Sequence, residues 1–376
     1  MPWRSVSVTD QRREFVRLAG SGQVSVAELC RRFGISRDAG HRLLRRCRQD
    51  GNAGLQPRSS RPRTSPRQTS PAMEQRVLAL RDTYPAWGGR KIARRLRDLG
   101  VIDVPAPSTV TEILRRHGRL DPTTCQQHRP LQRFERAFPN ELWQIDFKGH
   151  FALGRGRCHP LTVLDDHCRY ALGLRACADE TDGTVRHQLV RLFRRYGLPD
   201  MLLADNGSPW GTAGQGGARY TRLGVWLLQV GIELRHGRPR HPQTQGKDER
   251  FHRTLNCELL QHNRFADLAA CQTAFDRWRR IYNEERPHEA LGLDVPAVHY
   301  RPSPRCYPET PPAPVYEEGD VVRRVSRDGY VTLKGRTHKL SQAFAGHDVA
   351  LRPSTADGMW IVFFSRFPVA QIDLRG

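Results

Sequence analysis

Apolar positions recur with helical spacing at the start of the chain and with alternate spacing in its middle and near its end. In residues 1–55, "SVAELCRRFGISRDAGHRLLRRCRQDG" gives each of two helices one apolar face. Gly34 lies in the turn between them, and Ser36 can cap the second helix. Residues 72–120 repeat the pattern, with Ser108 as the expected cap. The spacing predicts two helix-turn-helix units in tandem, an all-α N-terminal part.

Strands alternate with helices between residues 139 and 300. "LWQIDFKG" places Trp143 and Ile145 on one side of a strand and Asp146 on the other. "HPLTVLDDHCRYALGLRA" has the pattern of a hairpin that turns at its paired aspartates, and "LPDMLLADNG" is a short apolar strand ending at Asp205. "TDGTVRHQLVRLFRRYG" and "GKDERFHRTLNCELLQ" have helical spacing. Strands interleaved with helices predict a mixed α/β layer fold.

Three segments without apolar periodicity separate these parts. Residues 56–71 are rich in proline, serine and arginine, residues 121–138 form a second linker, and residues 301–318 are rich in proline. Residues 319–376 contain short alternating strands separated by glycine or aspartate turns, as in a small β-barrel. We therefore predict a multidomain protein with helical units, an α/β domain and a terminal barrel.

The charge of the chain points to a polyanionic partner. Its 376 residues include 61 basic and 39 acidic side chains, a formal charge of +22. No apolar run approaches the roughly 20 residues of a membrane span, and the first residues lack the apolar segment of a signal peptide. Nine scattered cysteines without a Cys-x-x-Cys pair indicate neither a disulfide framework nor a zinc finger. We expect a cytoplasmic, nucleoid-associated protein without a membrane partner.

The second helix of the first unit carries the side chains best suited to a DNA groove. The candidate contacts are Arg37, His41, Arg42, Arg45 and Arg46. A helical hairpin with a solvated basic face would show the same residues, so that alternative stays open at this point.

Three acidic residues lie where side chains of an α/β sheet converge on a ligand. Asp146 lies on the polar face of a predicted strand, Asp205 is at the end of another, and Glu249 lies in the first turn of a helix. Taken singly, such residues are more often turn formers, solvated groups or helix-dipole partners. Together they suit two divalent ions, which need bridging carboxylates and can stabilise the entering and leaving oxygens of a phosphoryl displacement. Oxygen ligands favour Mg²⁺ or Mn²⁺.

The motifs "WQIDFKG", "LTVLDDHCRYALG", "LLADNGSPWG", "HPQTQGKDERFHRTL" and "YNEERPHEALG" resemble those of a known family. They are similar to the DDE transposases of bacterial insertion sequences, in the retroviral-integrase superfamily, and this implies a ribonuclease-H-like core. The resemblance implies that Asp146, Asp205 and Glu249 form the catalytic and metal-binding triad. It selects Glu249 over Asp248, which we expect to be solvated about 100° round the helix. Arg253, one turn after Glu249, would orient that carboxylate or contact DNA, and the predicted DNA contacts on this helix are Lys247, Arg250 and Arg253.

The same resemblance implies an activity. We expect binding to the terminal inverted repeats of the element, metal-dependent strand cleavage, and transfer of the 3′ hydroxyl into target DNA by a DNA-bound dimer or higher oligomer. No Gly-x-x-x-x-Gly-Lys-Ser/Thr loop is present, so no nucleotide cofactor is expected. An inert DNA-binding regulator and a metal-dependent nuclease without strand transfer are the alternatives.

Several features of the central segment remain open. The Gly-rich stretch 207–224 is either a loop insertion or a DNA-contacting segment, and Trp210 within it is equally consistent with a core position or with stacking on a base. His241 and His252 flank Glu249 on either side. Because histidine is more often a surface residue than a phosphate ligand, we expect both to be exposed.

Overall fold

The computed structural model describes residues 7–57, 68–120, 135–211, 220–237 and 246–375. The chain divides into two compact units, residues 1–68 and 69–376, and each is considered by itself. In these ranges no helix is long and apolar enough to cross a membrane.

The first unit is a small helical domain. It consists of α1 (Val8–Gly20), α2 (Val26–Arg32), α3 (Arg37–Asp50) and a 3₁₀ turn, Gly51–Leu55. Its core is formed by Phe15, Leu29, Cys30, Leu43 and Leu55. The Ser36 hydroxyl accepts a hydrogen bond from the backbone N–H of Ala39, and Gly34 has φ +64° in the turn. The predicted cap and turn of the helix-turn-helix are therefore confirmed.

The second unit begins with three helices. These are α4 (Pro71–Thr83), α5 (Gly89–Asp98) and α6 (Pro107–Arg116). The prediction that Ser108 caps α6 is wrong: the cap residue is Ala106 and Ser108 lies inside the helix. The helix starts early because Pro107, with its fixed φ and missing N–H, suits the first helical position.

The polar side of α5 binds the domain that follows instead of facing solvent. Arg95 lies 2.7 Å from a carboxylate oxygen of Glu285, which also accepts a hydrogen bond from the Tyr84 hydroxyl. Arg94 pairs with Asp294 at 2.9 Å. The Arg95 and Glu285 side chains are only 18 % and 20 % exposed, so this pair is weakly screened by solvent. The helices α4–α6 are therefore docked on the α/β domain by charge.

The α/β domain is built on a mixed sheet. Its strands are β1 (Leu142–Phe147), β2 (Phe151–Ala152), β3 (Arg157–Asp165), β4 (Ala171–Cys177), β5 (Met201–Ala204) and β6 (Glu233–His236). The order is β2-β3-β1-β5-β6, with β4 also paired to β3. Strands β1, β3 and β4 are antiparallel, while β1, β5 and β6 are parallel. The predicted hairpin at the paired aspartates is confirmed as β3 and β4.

Helices cover both faces of this sheet. The helices α7 (Asp182–Tyr196) and α8 (Arg222–Gln229) pack on the face that carries Trp143 and Ile145. The opposite face is covered by α9 (Gly246–Glu258) and α10 (Leu268–Glu284), and α11 (Pro296–His299) follows. Because side chains alternate along β1, Asp146 lies on the face covered by α9 and α10.

The C-terminal residues form an open sheet. Strands β7 (Val321–Arg324), β10 (Asp348–Pro353), β11 (Met359–Phe364) and β12 (Phe367–Asp373) pair in the order β12-β11-β10-β7. Strands β8 (Tyr330–Leu333) and β9 (Arg336–Lys339) form a separate hairpin. Within residues 320–375 no pairing joins β12 to β7, so the strands are as predicted but a closed barrel is not formed. Val225 and Leu228 of α8 pack into the core of this sheet.

Candidate active site

Asp146 and Asp205 lie side by side on neighbouring parallel strands. The β1–β5 register pairs Leu142 with Met201 and Gln144 with Leu203. Carried two residues further, the same register places Asp146 beside Asp205, at the carboxyl ends of both strands. Adjacent strands are about 4.8 Å apart, so the two carboxylates share one edge of the sheet. The sequence placed both acids at strand ends, and the sheet order makes those ends neighbours.

The Asp146 carboxylate is in an environment that disfavours its charge. Burial raises its pKa to about 7, and the nearby negative charge of Asp205 acts in the same direction. Its side chain is still 25 % exposed, so an ion can reach it from solvent. A bound cation would relieve both effects at once. The two carboxylates therefore have the donor chemistry that suits Mg²⁺ or Mn²⁺.

Glu249 and Asp248 have exchanged the environments predicted for them. Asp248 is 1 % exposed, and burial, followed by the charges of Asp146 and Asp166, raises its pKa well above the usual value. Its Oδ1 has no hydrogen-bond partner. Glu249 is exposed in the first turn of α9. The prediction of a solvated Asp248 is therefore wrong.

The reason lies in the packing of α9. Its buried face carries Asp248, Phe251 and Leu255, spaced three and four residues apart, and this face rests on the sheet and α10. That spacing is visible in the sequence and would have placed Asp248 inward. Glu249 is one residue, about 100°, further round the helix.

The described residues contain no cluster of three or more His, Cys, Asp or Glu side chains arranged to hold a metal ion. The structure brings Asp146 and Asp205 together, whereas Glu249 is exposed in the first turn of α9 and does not join them in such a cluster. Two of the three predicted ligands are therefore neighbours.

His252 was expected on the surface and instead faces the site. It is 15 % exposed, and its Nδ1 lies 4.0 Å from Asp146 Oδ2. Its Nε2 lies 2.9 Å from Thr162 Oγ1, and Thr162 is the cross-strand partner of Asp146. Burial, and then the charge of Lys148, lowers the pKa of His252 to about 4, so the ring is uncharged at neutral pH. Sequence reasoning missed Thr162 altogether, because nothing in its local pattern indicates a polar role.

The turn between β3 and β4 anchors the start of α9. Asp166 is 5 % exposed, accepts a hydrogen bond from Gln144 and forms a 2.7 Å ion pair with Lys247. Lys247, one of the predicted DNA contacts, is therefore engaged by an internal carboxylate. Asp165 is fully buried and accepts backbone N–H bonds from Asn140 and Cys168. Both aspartates shape the turn, as predicted.

The other predicted DNA contacts differ in their exposure. Those on exposed positions are Arg37, His41, Arg42, Arg45, Arg250 and Arg253. Arg42 pairs with Asp38, whereas Arg46 is half-buried and donates to the Gln56 carbonyl at 2.7 Å. Arg46 is thus used inside the first unit.

The Gly-rich stretch is shorter than predicted at both ends. Trp210 is 1 % exposed and belongs to the core under α7 and α8. Thr221 caps α8, so Arg222 and Gly224 are helical. Residues 212–219 and His241 lie outside the described residues.

Replacing Asp248 with asparagine is expected to stabilise the fold. The amide keeps the shape and removes a buried carboxyl whose charge has no bonding partner at Oδ1. We expect a gain of about 1–3 kcal/mol in unfolding free energy at pH 8, measured by urea denaturation. The matched change at the exposed neighbour, Glu249→Gln, should leave stability within about 0.5 kcal/mol. A destabilised Asp248→Asn variant would show instead that the charge is bonded.

Five family models match the chain. A model described as "Integrase core domain" matches residues 136–242, and a second with the same description matches 230–296. "Helix-turn-helix domain" matches 11–63 and "Homeodomain-like domain" matches 39–114. "IS481 family transposase, C-terminal domain" matches 320–376. These matches agree with the helical, α/β and C-terminal parts described above.

Several curated proteins are similar in sequence. An uncharacterized 31.7 kDa protein of insertion element IS407 from Burkholderia multivorans is 28 % identical over 159 residues, 42 % of this chain. The match spans 54 %, about half, of that protein's length. An uncharacterized 39.2 kDa protein of insertion element IS476 from Xanthomonas euvesicatoria is 26 % identical over 71 % of this chain and 75 % of its own. A Pro-Pol polyprotein of simian foamy virus type 3 is 26 % identical over 34 % of this chain and 10 % of its own.

Solved structures show a weaker likeness. A simian T-cell lymphotropic virus intasome has a chain with TM-score 0.39 and 14 % identity, covering 80 % of this chain and 96 % of its own. The HTLV-2 integrase catalytic core in complex with magnesium gives TM-score 0.33 and 16 % identity, covering 44 % and 99 %.

Proposed function

Because the chain belongs to the insertion-element transposases that carry an integrase core domain, we propose that it cuts the ends of its own element and joins them to target DNA. The observation that carries this proposal is the pair of carboxylates, Asp146 and Asp205, placed together by the β1–β5 register on one edge of the sheet. Burial and the neighbouring charge of Asp205 raise the pKa of Asp146, and a carboxylate in such an environment suits a divalent ion better than a structural role.

In this proposal Asp146, Asp205 and Glu249 hold two ions of Mg²⁺ or Mn²⁺. Bound ions would supply stabilisation of the entering and leaving oxygens of each phosphodiester displacement. Glu249, exposed on the first turn of α9, completes the set when DNA and metal are bound.

The chain's own residues would then bring in the substrate. Its formal charge of +22 attracts DNA, and the helical units are proposed to bind the terminal inverted repeats. We propose Arg37, His41, Arg42 and Arg45 as contacts from α3, and Arg250 and Arg253 as contacts beside the site. Arg46 and Lys247 would contribute only after releasing their internal partners.

Two element ends must meet for joining, so we propose a DNA-bound dimer or higher oligomer. Both steps exchange one phosphodiester for another, so no nucleotide cofactor is required. The protein would act in the cytoplasm, at the nucleoid.

The test is a product assay with the purified full chain, labelled element-end DNA and Mg²⁺. We expect two products: a strand cut at the element end, and a longer species in which that 3′ end is joined to target DNA. Addition of EDTA should abolish both products. Scrambling the terminal sequence of the element-end DNA should abolish cutting at that end.

Two other outcomes would replace the proposal. Cutting without joining under all metal and target conditions indicates a nuclease, and specific binding with neither product indicates a regulator of the element. Joining that persists in EDTA would contradict the role of the carboxylates.

A further inference from the structure

A short chain of hydrogen bonds links α9 to the strand that carries Asp146. Thr162 Oγ1 donates to the Asp146 carbonyl oxygen at 3.0 Å and lies 2.9 Å from His252 Nε2. A threonine hydroxyl has one hydrogen, so Oγ1 must be the acceptor in its contact with His252. The proton of the imidazole is therefore on Nε2, and Nδ1 carries a lone pair.

This tautomer decides what Asp146 meets on its α9 side. His252 Nδ1 lies 4.0 Å from Asp146 Oδ2, beyond hydrogen-bond distance, and has no hydrogen to donate. With the proton on Nδ1, the ring would present an N–H to the carboxylate, and an approach of about 1 Å would let it compete with a cation. The Asp146 carboxylate accepts a hydrogen bond from the Phe147 backbone N–H, and Thr162 keeps the imidazole from becoming a second donor to it.

The same contacts fix the helix against the strand. Thr162 is fully buried and pairs with Asp146 across β1 and β3. Phe251 and Leu255 hold the other side of the α9 face in the core. His252 is a polar contact between α9 and β3, about 60° round the helix from Glu249 and three residues beyond it. A shift of His252 would therefore move Glu249 relative to Asp146.

We propose that His252, held by Thr162, is a positioning residue for the metal site: it keeps Asp146 free to bind an ion and sets the distance from β1 to the helix that carries Glu249. The inference rests on the proposed function, since it concerns the ion that Asp146 and Asp205 would hold. Neither His252 nor Thr162 needs to touch the ion or DNA for this role.

Mn²⁺ binding, followed by electron paramagnetic resonance of the full chain without DNA, tests the proposal. Partners that orient metal ligands typically change metal affinity 10–100-fold. We expect Thr162→Val, which removes only the hydroxyl, to weaken Mn²⁺ binding about 10-fold. Thr162→Ser keeps the hydroxyl and should stay within about twofold of the wild type. His252→Phe should match Thr162→Val, and the double variant should be no weaker than either, because the two residues act as one unit.

The controls separate this role from folding and from the function itself. His262→Phe, an exposed ring bonded to the Cys257 carbonyl at the end of α9, should bind Mn²⁺ like the wild type. Thermal unfolding checks each variant, and the Val and Ser pair decides the question if His252→Phe does not fold. Unchanged binding in Thr162→Val, or effects that multiply in the double variant, would overturn the inference. Mn²⁺ binding that Asp146→Asn leaves intact would overturn the proposed function as well.

Discussion

Asp146→Asn is expected to reduce both cutting and joining by at least about a thousandfold while leaving DNA binding intact. The amide keeps the shape of the side chain and removes the negative charge that it presents beside Asp205. Loss of a bound ion removes several kcal/mol of transition-state stabilisation, and about 4 kcal/mol corresponds to a thousandfold in rate. The expected results for Asp205→Asn and Glu249→Gln are the same. DNA affinity stays or rises, because a negative charge has been removed from the path of the phosphates.

A gel assay of cut and joined products, run beside a filter-binding measurement, checks these expectations. Glu284→Gln provides the matched control, since Glu284 is an exposed acid on α10 and should be dispensable. Activity within tenfold of the wild type in Asp146→Asn would exclude a metal-holding role for that carboxylate. Full activity in Glu249→Gln alone would move the third ligand elsewhere.

The second large effect is a dependence of stability on pH that divalent metal removes. The pKa of Asp146 is raised to about 7 in the folded protein, against about 3.8 unfolded. A raised folded pKa contributes stability that is fully present below pH 3.8 and is lost as the pH rises through 7. Three pKa steps correspond to about 4 kcal/mol, and partial exposure of the side chain reduces this to roughly 2–4 kcal/mol.

Urea unfolding at pH 4 and pH 8 isolates this contribution. Asp146→Asn should equal the wild type at pH 4 and exceed it at pH 8, because the neutral amide does not suffer the repulsion of Asp205. Adding Mg²⁺ at pH 8 should stabilise the wild type and leave Asp146→Asn unchanged. If the difference between variant and wild type is the same at both pH values, Asp146 does not titrate in this range.

The local patterns of the sequence were sufficient for much of the fold. The alternation of Trp143, Ile145 and Asp146 predicted correctly that Asp146 lies on the face opposite the two apolar residues, because side chains of a strand alternate by geometry. The cap at Ser36 and the turn at Gly34 are likewise set by neighbouring atoms. At α6, Pro107 overrode the serine that the pattern favoured.

The parts of the site that depend on local sequence were predicted, and the parts that depend on how α9 packs on the sheet were missed. Asp146 and Asp205 were found as strand ends, but only the sheet order makes them neighbours. Asp248 was misplaced because it was assigned only as the neighbour of Glu249, about 100° round the helix, and not from its position in the stripe with Phe251 and Leu255. The contact of His252 with Thr162 joins residues 90 positions apart and depends on how α9 lies on the sheet.

The docking of α5 has a consequence for the spacing between the DNA bases that the protein would bind and the phosphate that it would cut. Because Arg94 and Arg95 tie α4–α6 to acids of the α/β domain, α6 and Asp146 belong to one body instead of two joined by a hinge. If α6 enters a groove, the number of base pairs between the bases it touches and the phosphate to be cut is constant. Each base pair spans about 3.4 Å along the duplex axis. Inserting a single base pair into that interval would then displace the scissile phosphate by a whole step and rotate it about the duplex axis.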